Sequence, residues 1–493
     1  MDGIMRPVFV MDKKIFKNYF YNILYQLVKI VLPLIVAPYT ATHIGLTPLG
    51  TYNYAGSIMN WFILFGILGV NTYGNRQIAK VRDNKDLRNK TFFEIFSMQV
   101  CNMLIAMAAY YVFIRFAIQE DRFYYYLTGL TMLASMLDIT WFFYGVEDFK
   151  KASIRNIIVK CLGVGLIMTL CKKPEDLWLY ILINVGSELV GQAIMFVQLR
   201  QYLTFKPISL KEAYHNHFRA TFQLFVPTIA ISVYTMLDQT MVGALYNKDH
   251  VQLYLTSMNI VKMFLLLITS IGSVMLPRVT NVYYNDEDGA KKAEAYIGTT
   301  MKISMLLALP MCFGMMSIAR SFMAWYIPVW PDLPYLIMMG CPVIILISMS
   351  NVTGIQYMVP TGMYNQYSAS VIAGSCVNFL INLFLIPRYG AYGAIVASVI
   401  AESTVTGIQL FLIRDKVKFG FFHKSYFVYA IGTAFMAAAV VFLTTILPVG
   451  TFYTLIEVAV GMLVYAAVLL ITREELVMNV LTALKRRNGE SHA

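Results

Sequence analysis

The sequence predicts an all-α polytopic membrane protein with about 14 transmembrane helices. Hydrophobic residues make up 58% of the 493 residues and charged residues only 13%, whereas roughly a quarter of the residues in an average soluble domain are charged. Apolar runs of about twenty residues recur along the chain, and each can cross a hydrocarbon core of ~30 Å as a helix. Short polar connections separate the runs, so we expect no soluble domain.

The apolar runs predict where each span begins and ends. The first run follows a segment without the apolar core and small-residue cleavage site of a signal peptide, so we expect an uncleaved signal anchor. Met1 and Met11 both remain candidates for the start of translation. In chain order the predicted spans are 18–40, 50–72, 91–114, 122–145, 154–171, 176–198, 219–245, 253–277, 298–320, 334–359, 366–386, 390–413, 425–447 and 452–472.

The positive charges of the chain indicate its orientation in the membrane. The formal net charge is +12, from 39 Lys and Arg against 27 Asp and Glu. With the N-terminus inside, most Lys and Arg fall in cytoplasmic segments, including a cluster between spans two and three, as the positive-inside rule expects. Both termini are therefore predicted to be cytoplasmic. The excess charge serves topology and attraction to membrane lipids, and it does not predict a nucleic-acid partner.

Cysteine and histidine give no sign of a metal site or a cofactor. Five of the six Cys lie inside apolar runs, and no CxxC pair occurs, so the cysteines are predicted to be packing residues. All six His lie in predicted loops or tails, and the pair His215 and His217 lacks further ligands nearby. We expect neither a metal nor a bound cofactor.

The spans group into two lobes. The predicted organisation is an N-terminal tail (1–17), an N-lobe of spans one to six (18–198), a cytoplasmic linker (199–218), a C-lobe of spans seven to twelve (219–413), spans thirteen and fourteen (414–472) and a C-terminal tail (473–493). A weak internal repeat supports this division, with coincidence as the alternative. Tyr52, Ile58 and Arg76 recur with the same spacings, 202 residues later, as Tyr254, Ile260 and Arg278. Such lobes would be parallel repeats.

Two lysines lie near the middle of predicted spans, Lys29 in span one and Lys262 in span eight. A charged group at mid-bilayer costs about 2.5 to 3.5 kcal/mol on insertion scales, and those retained usually face a wet cavity. Lys160 and Lys302 lie closer to cytoplasmic ends and can extend to the interface. Two deep lysines from separate lobes favour an anionic substrate that carries a phosphate group.

Other polar residues share helical faces within the spans. Such stripes converge on a cavity for a hydrophilic solute, or they form interhelical hydrogen bonds, and the sequence leaves both interpretations open. The stripe residues are Asn22 and Gln26 with Lys29, Asn259 with Lys262, Asn184 and Gln192 with Glu188, Thr406 and Gln409 with Glu402, and the separate carboxylates Asp138 and Asp238.

Five segments of the chain resemble the oligosaccharide flippases of the polysaccharide biosynthesis protein family, within the MOP (multidrug/oligosaccharidyl-lipid/polysaccharide) exporter superfamily. The resemblance covers nearly the whole length. It is carried by Gly50–Asn84 (GTYNYAGSIMNWFILFGILGVNTYGNRQIAKVRDN), Asp138–Lys151 (DITWFFYGVEDFKK), Leu237–Leu245 (LDQTMVGAL), Leu276–Asn281 (LPRVTN) and Asn378–Ser398 (NFLINLFLIPRYGAYGAIVAS).

The resemblance implies a function and roles for several residues. It implies two pseudo-symmetric six-helix lobes around a cavity, alternating access, and transfer of an undecaprenyl-pyrophosphate-linked oligosaccharide to the outer leaflet of the bacterial cytoplasmic membrane. Lys29 and Lys262 resemble the basic residues that serve the pyrophosphate in lipid II flippases. Sodium or proton coupling, with the membrane potential, is implied as well. The positions that resemble the sodium site of some lipid II flippases are occupied here by Asp238, Asn378 and Asn382. This set contains one carboxylate, whereas the site in those flippases contains two.

Asp138 opens the DITWFFYG motif and is predicted to be either a gate or a structural cap. Two other functions are weighed against flipping. A drug or small-solute antiporter of the same superfamily would need a cavity suited to cations or apolar drugs, which two deep lysines disfavour. A membrane glycan polymerase or ligase would need catalytic groups in external loops, and these loops are short and lack a nucleophile with a base. We therefore predict a non-enzymatic transporter, with glycosyltransferases and a polymerase of the same pathway as further partners.

Overall fold

The computed structural model of the protein describes residues 28, 31–204, 209–418, 423–479 and 481–482. Within these ranges the regular structure is helical and no β-strand occurs. Contacts divide the chain into two compact units, Met1–Thr240 (unit 1) and Met241–Ala493 (unit 2). The predicted lobe and linker boundaries stay predictions.

Unit 1 contains long helices together with several short ones. In chain order they are residues 31–43 (α1), Leu46–Ile67 (α2), Val70–Val81 (α3), Lys85–Ala117 (α4), Arg122–Gly129 (α5), Thr131–Met136 (α6), Thr140–Gly145 (α7), Phe149–Leu170 (α8), Leu177–Leu199 (α9) and Leu210–Leu245 (α10), which ends in unit 2.

Unit 2 continues with further long helices and one π-helical segment. In chain order they are Lys248–Met263 (α11), Leu265–Asn285 (α12), Gly289–Tyr326 (α13), Leu333–Gly340 (α14), Pro342–Ser350 (α15), the π-helix Asn351–Met358, Tyr364–Tyr389 (α16), Ala391–Ile413 (α17), Lys424–Ile446 (α18) and Thr451–Ile471 (α19).

The all-α polytopic fold class is confirmed. Within the described residues, 11 helical segments are long and apolar enough to cross a membrane. They overlap predicted spans two, three, four, six and eight to fourteen, but in span eight the membrane-length helix begins only at Leu265, so the first half of that predicted span, with Lys262, lies on α11. Predicted spans five and seven fall on α8 and α10, and span one overlaps α1. The total of about 14 spans stays a prediction, because much of span one lies outside the described residues.

Predicted span four is built from three short helices, α5 to α7. The chain leaves helical geometry between Met136 and Thr140, which frees backbone carbonyl groups inside an apolar segment. The side chain of Gln99 on α4 binds them, because its Nε2 donates to the carbonyl oxygens of Met136 (3.0 Å) and Asp138 (2.9 Å). Its Oε1 accepts a hydrogen bond from the Trp141 indole (3.0 Å). Gln99 is 1% exposed, so these bonds replace water at the break.

Predicted span two is also interrupted, at the junction of α2 and α3. Leu68 (φ 50°) and Gly69 (φ 79°) both adopt left-handed backbone conformations, which a leucine rarely adopts. A Cβ atom at position 69 would lie 3.2 Å from the carbonyl oxygen of Thr221 and 3.3 Å from the Cα of Phe225, both on α10. Glycine therefore allows both the turn and the close approach of α10.

The two interrupted spans meet in the apolar core of unit 1. The indole of Trp141 stacks on Phe92, with ring centroids 5.4 Å apart. A Cβ at Gly74 would lie 2.5 Å from the Trp141 ring, and a Cβ at Gly145 would lie 2.7 Å from Ile78. Glycines at these two positions let α3 and α7 pack in direct backbone contact. The DITWFFYG motif is thus the packing core around the break.

In unit 2, predicted span ten changes from α-helix to the π-helix Asn351–Met358. A π-turn is wider than an α-turn and often occurs at functional positions. The Thr353 hydroxyl in this turn donates to Gln409 Oε1 on α17 (2.6 Å), and Gln409 Nε2 donates to Ser370 Oγ on α16 (3.1 Å). This chain of hydrogen bonds holds three helices together around the π-turn.

Span fourteen (α19) binds span nine (α13) through polar side chains as well as apolar contacts. The Trp325 indole donates to the Thr454 hydroxyl (2.9 Å), and the Ser321 hydroxyl donates to Glu457 Oε2 (2.8 Å). Glu457 is 1% exposed. The C-terminal helices therefore form part of the folded unit 2.

The side chain of His250 binds the backbone at the N-terminal end of α17. Its Nδ1 accepts a hydrogen bond from the backbone N–H of Ala391 (3.0 Å), which requires the neutral form of that nitrogen. Burial lowers the pKa of His250, while Asp332 and Asp249 act in the opposite direction. The neutral imidazole is thus favoured in the folded chain.

We predict that Gln99→Leu lowers the stability of the full chain by about 1 to 3 kcal/mol, because the two carbonyl groups and the Trp141 indole lose their partners in a dry site. The measurement is the thermal unfolding midpoint in detergent. Gln223→Leu, at an exposed position of α10, is the matched control and should leave the midpoint unchanged. Equal midpoints for both variants would show that Gln99 does not hold the break.

We predict that the structure around His250 loses stability in acid. Its contribution is complete above the ordinary histidine pKa of about 6.5. It is lost as the pH falls through the lowered value, because the unfolded chain then binds the proton more readily. The thermal unfolding midpoint should decrease when the pH is lowered from about 7.5 to about 5, and the decrease should be smaller in His250→Gln. An identical pH dependence in that variant would contradict the prediction, and His215→Gln serves as an exposed control.

Candidate functional site

Lys262 lies on the last turn of α11, close to the middle of predicted span eight. The helix ends at Met263 and α12 begins at Leu265. Lys262 therefore lies at the C-terminal end of α11, where the helix dipole favours a positive charge. Lys262 is exposed, and so is Asn259 one turn earlier. Within the described part of the chain, the Lys262 ammonium forms no ion pair or hydrogen bond.

The partner predicted for Lys262 cannot be placed. Lys29 and its two face-sharing neighbours, Asn22 and Gln26, lie outside the described residues. Their assignment to the anion site stays a prediction.

Unit 1 carries a polar face on α2, α8 and α9. Glu188 on α9 is exposed, and Lys160 and Asp138 lie within electrostatic reach of its carboxylate. Tyr52 on α2 also lies within reach of Glu188, and its ring meets Tyr180 edge-to-face at 5.3 Å. The sequence assigned Lys160 to the membrane interface alone, whereas the fold brings it within electrostatic reach of a carboxylate on the next helix. Helical spacing within one span does not reveal such a neighbour.

Glu402 in unit 2 is buried on α17, with Tyr367 of α16 within electrostatic reach. The residues that share its face are buried as well: Thr406 donates to the carbonyl oxygen of Leu346 (3.0 Å), and Gln409 joins α16 to the π-helix. This part of the polar stripe consists of interhelical hydrogen bonds. Glu188 and Glu402 therefore differ in access, because the first is exposed and the second is enclosed by its own unit.

The residues predicted to bind a cation are all buried. Asp238 belongs to unit 1, whereas Asn378 and Asn382 lie one turn apart on α16 in unit 2. Asn382 Nδ2 donates to Asn378 Oδ1 (3.1 Å), and Asn378 Nδ2 has no hydrogen-bond partner among the described residues. Amide oxygens and one carboxylate are ligand types that hard cations accept. In the described chain, no cluster of three or more His, Cys, Asp or Glu could hold a metal.

Asp138 caps the short helix α7. Its Oδ1 accepts a hydrogen bond from the Thr140 N–H (2.9 Å) and another from the Thr140 hydroxyl (2.5 Å). These bonds fix the start of the DITWFFYG helix beside the carbonyl groups that Gln99 binds. A cap accounts for the carboxylate here, and a gating role for Asp138 stays a prediction.

The buried contacts of two polar residues were not predicted from the sequence. Glu457 lies within predicted span fourteen, where a single carboxylate in an apolar run already indicates a special environment. His217 was interpreted as a loop residue, but it is buried against Glu94 of α4 and Tyr73 of α3. No local pattern predicts that contact, because the partners are 123 and 144 residues away.

A cavity of about 370 Å³ opens between α8 and α9. Its walls are mostly apolar, with Asp148, Arg155 and Gln198 among the lining residues. It contains none of the predicted site residues.

Comparison with known proteins identifies the family. Residues 15–283, more than half of the chain, match the family described as polysaccharide biosynthesis protein. A protein of Escherichia coli (strain K12), named as an O-antigen transporter, is 21% identical over 407 residues, which cover 81% of this chain and 96% of that protein. A protein of Haloferax volcanii, named as a low-salt glycan biosynthesis flippase, is 22% identical over 285 residues, which cover 56% of this chain and 59% of that protein.

Solved structures show the same fold. The lipid II flippase MurJ, in its inward closed conformation, matches with a TM-score of 0.69 and 16% identity, over 92% of this chain and 100% of that one. An inward-facing multidrug resistance MATE family transporter of the MOP superfamily matches with a TM-score of 0.57 and 12% identity, over 79% and 94%. The chain is therefore a multi-pass membrane protein with the fold of these two proteins, and it belongs to the polysaccharide biosynthesis protein family.

Proposed function

We propose that this protein is a flippase for undecaprenyl-pyrophosphate-linked oligosaccharides. It moves the repeat unit of a cell-surface polysaccharide from the inner to the outer leaflet of the bacterial cytoplasmic membrane by alternating access, with both termini in the cytoplasm. Membership of the polysaccharide biosynthesis protein family supports this proposal. So do relatives that are named for O-antigen transport and for flipping a glycan intermediate, and the fold shared with a lipid II flippase.

The observation that carries the proposal is the exposed ammonium group of Lys262, which lies near the middle of predicted span eight and has no partner among the described residues. A lysine there is costly in lipid, and it becomes favourable when an anion binds it. A pyrophosphate offers two phosphate groups, and Lys29 is the second cation in this proposal. Transfer of a bound headgroup between leaflets breaks no covalent bond, so the residues need only bind and release.

The membrane potential favours the outward direction. One elementary charge is worth about 2.3 kcal/mol per 100 mV, and an inside-negative potential drives an anionic headgroup outward. A cation that enters on the return step would add to this driving force. Asp238, Asn378 and Asn382 are the proposed ligands if that cation is sodium, and a proton is the alternative.

We predict that Lys29→Gln and Lys262→Gln each weaken transport of the lipid-linked oligosaccharide. Charge-assisted hydrogen bonds contribute about 1.5 to 3 kcal/mol, so each substitution should raise the apparent Kd by about tenfold or more. The measurement is flipping of an undecaprenyl-pyrophosphate-linked oligosaccharide in proteoliposomes.

The control for the lysine variants is Lys302→Gln, because Lys302 already lies 3.8 Å from Glu475 in an ion pair. It should flip at the wild-type rate, and Lys262→Arg should retain most activity. Unimpaired flipping by the variant with both Lys29→Gln and Lys262→Gln would exclude these lysines as the pyrophosphate-binding residues. Uptake of a cationic drug without flipping would favour the antiporter, and elongation of the glycan would favour a polymerase or ligase.

We predict that a sodium gradient accelerates flipping at constant pH, and that Asp238→Asn abolishes this acceleration because the site then holds no negative charge. Asp249→Asn, in the first turn of α11, is the matched control. Equal rates in sodium and choline buffers for the wild type would exclude sodium as the coupling ion.

A further inference from the structure

The strongest unassigned feature is a polar cluster where α3, α4 and α10 meet. His217 Nε2 lies 2.9 Å from Glu94 Oε2, and His217 Nδ1 lies 2.8 Å from the Tyr73 hydroxyl. The exposed fractions of His217, Glu94 and Tyr73 are 8%, 3% and 4%. Each residue comes from a different helix, so the histidine is held at both ring nitrogens inside unit 1.

The surroundings of the cluster are largely apolar. Tyr73 belongs to the buried core that contains Val70 and Ile78, and Ala220 and Leu224 of α10 pack against the same core. A charge in such a place needs close partners. The Glu94 carboxylate has them, because Asn216 donates to its Oε1 (3.3 Å) and the Lys90 ammonium lies 3.7 Å away.

The hydrogen bonds of the cluster can serve both charge states of His217. In the neutral state, Nε2–H donates to the Glu94 carboxylate and Nδ1 accepts from the Tyr73 hydroxyl. In the charged state, both ring nitrogens donate, and the Tyr73 oxygen becomes the acceptor. Gln77 lies in hydrogen-bonding reach of Tyr73, and its amide oxygen can then accept a hydrogen bond from the hydroxyl. A proton can therefore arrive without leaving any of these groups unpaired, which is what a reversible proton site requires.

The charged and titratable groups that face His217 come from α3 and α4. They are Tyr73 on α3, and Lys90 and Glu94 on α4. Tyr214, one turn earlier on α10, binds Asn102 instead. With neutral His217 the charges of Lys90 and Glu94 balance, and protonation leaves the cluster with one net positive charge.

The cluster adjoins the break in span two. The Tyr73 N–H donates to the Gly69 carbonyl (3.1 Å), so Tyr73 is on the first turn after the break. On the other side, the Thr221 hydroxyl donates to the His217 carbonyl (2.7 Å), and the Thr221 carbonyl is the group closest to Gly69. His217 and Tyr73 thus lie on the two sides of the contact between α10 and the break.

We infer that Tyr73, Glu94 and His217 form a proton-binding site at the break in span two, whose occupancy changes the rate of transport. The link to transport rests on the proposed function, whereas proton binding itself does not. The ligand is a proton, and the site is separate from the carboxylate and amides proposed for sodium.

Proton binding is tested on the full chain in detergent, with ¹⁵N-labelled histidine and nuclear magnetic resonance from about pH 5 to pH 9. The histidine signal that is missing from the spectrum of His217→Gln belongs to His217. Its chemical shift should change from the value of a charged ring to that of a neutral ring as the pH rises through this range. Glu94→Gln should change the pH dependence of that signal, because the imidazole loses its carboxylate partner. If His217→Gln does not fold, the signal that responds to Glu94→Gln identifies His217. A His217 signal that is constant throughout would overturn the inference.

The transport effect is tested by the proteoliposome assay at equal pH on both sides. The wild-type rate should change several-fold with pH, and His217→Gln should give a flat profile. His215→Gln, two residues away and exposed, should keep the wild-type profile. A wild-type profile in His217→Gln would reject the transport role and leave the proposed function standing. Titration of His217 in a protein that flips no oligosaccharide would reject the proposed function and support the proton site.

Discussion

Backbone groups that leave helical geometry inside a membrane must find partners within the protein, because lipid offers none. This constraint acts on spans two, four and ten, which are interrupted at Leu68–Gly69, at 137–139 and over Asn351–Met358. In span four the amide of Gln99 binds the freed carbonyl groups, and near the π-turn Gln409 joins three helices. The positions of the interruptions therefore depend on a few buried polar side chains.

The same constraint separates two classes of polar residue within the spans. Gln99 and Gln409 form hydrogen bonds with neighbouring helices and hold the fold together, and Asp138 binds Thr140 within its own segment. Lys262 and Glu188 project from their units and remain accessible. Both classes look alike in a hydropathy plot, since each is a polar residue in an apolar run. Exposure in the folded unit distinguishes a residue that can meet a solute from one that holds helices together.

Much of the fold could be predicted from the sequence, because length and hydropathy decide whether a helix can cross a bilayer. The exposed face shared by Asn259 and Lys262 also follows from helical spacing. The breaks could not be predicted, because Leu68 gives no turn signal and the stabilising Gln99 is distant in sequence from the residues it binds. The partners of His217 and Lys160 also depend on contacts between helices, which spacing within one helix does not contain.

The hydrogen bonds between α13 and α19 limit how such a chain can change its number of spans. Without span fourteen, the indole N–H of Trp325 would lose its acceptor, Thr454, and face lipid. Without a matching span nine, the carboxyl group of Glu457 would lose the hydroxyl of Ser321. Loss of the last helix alone would therefore leave two polar side chains of span nine without their partners, and apolar residues at positions 321 and 325 would remove that cost.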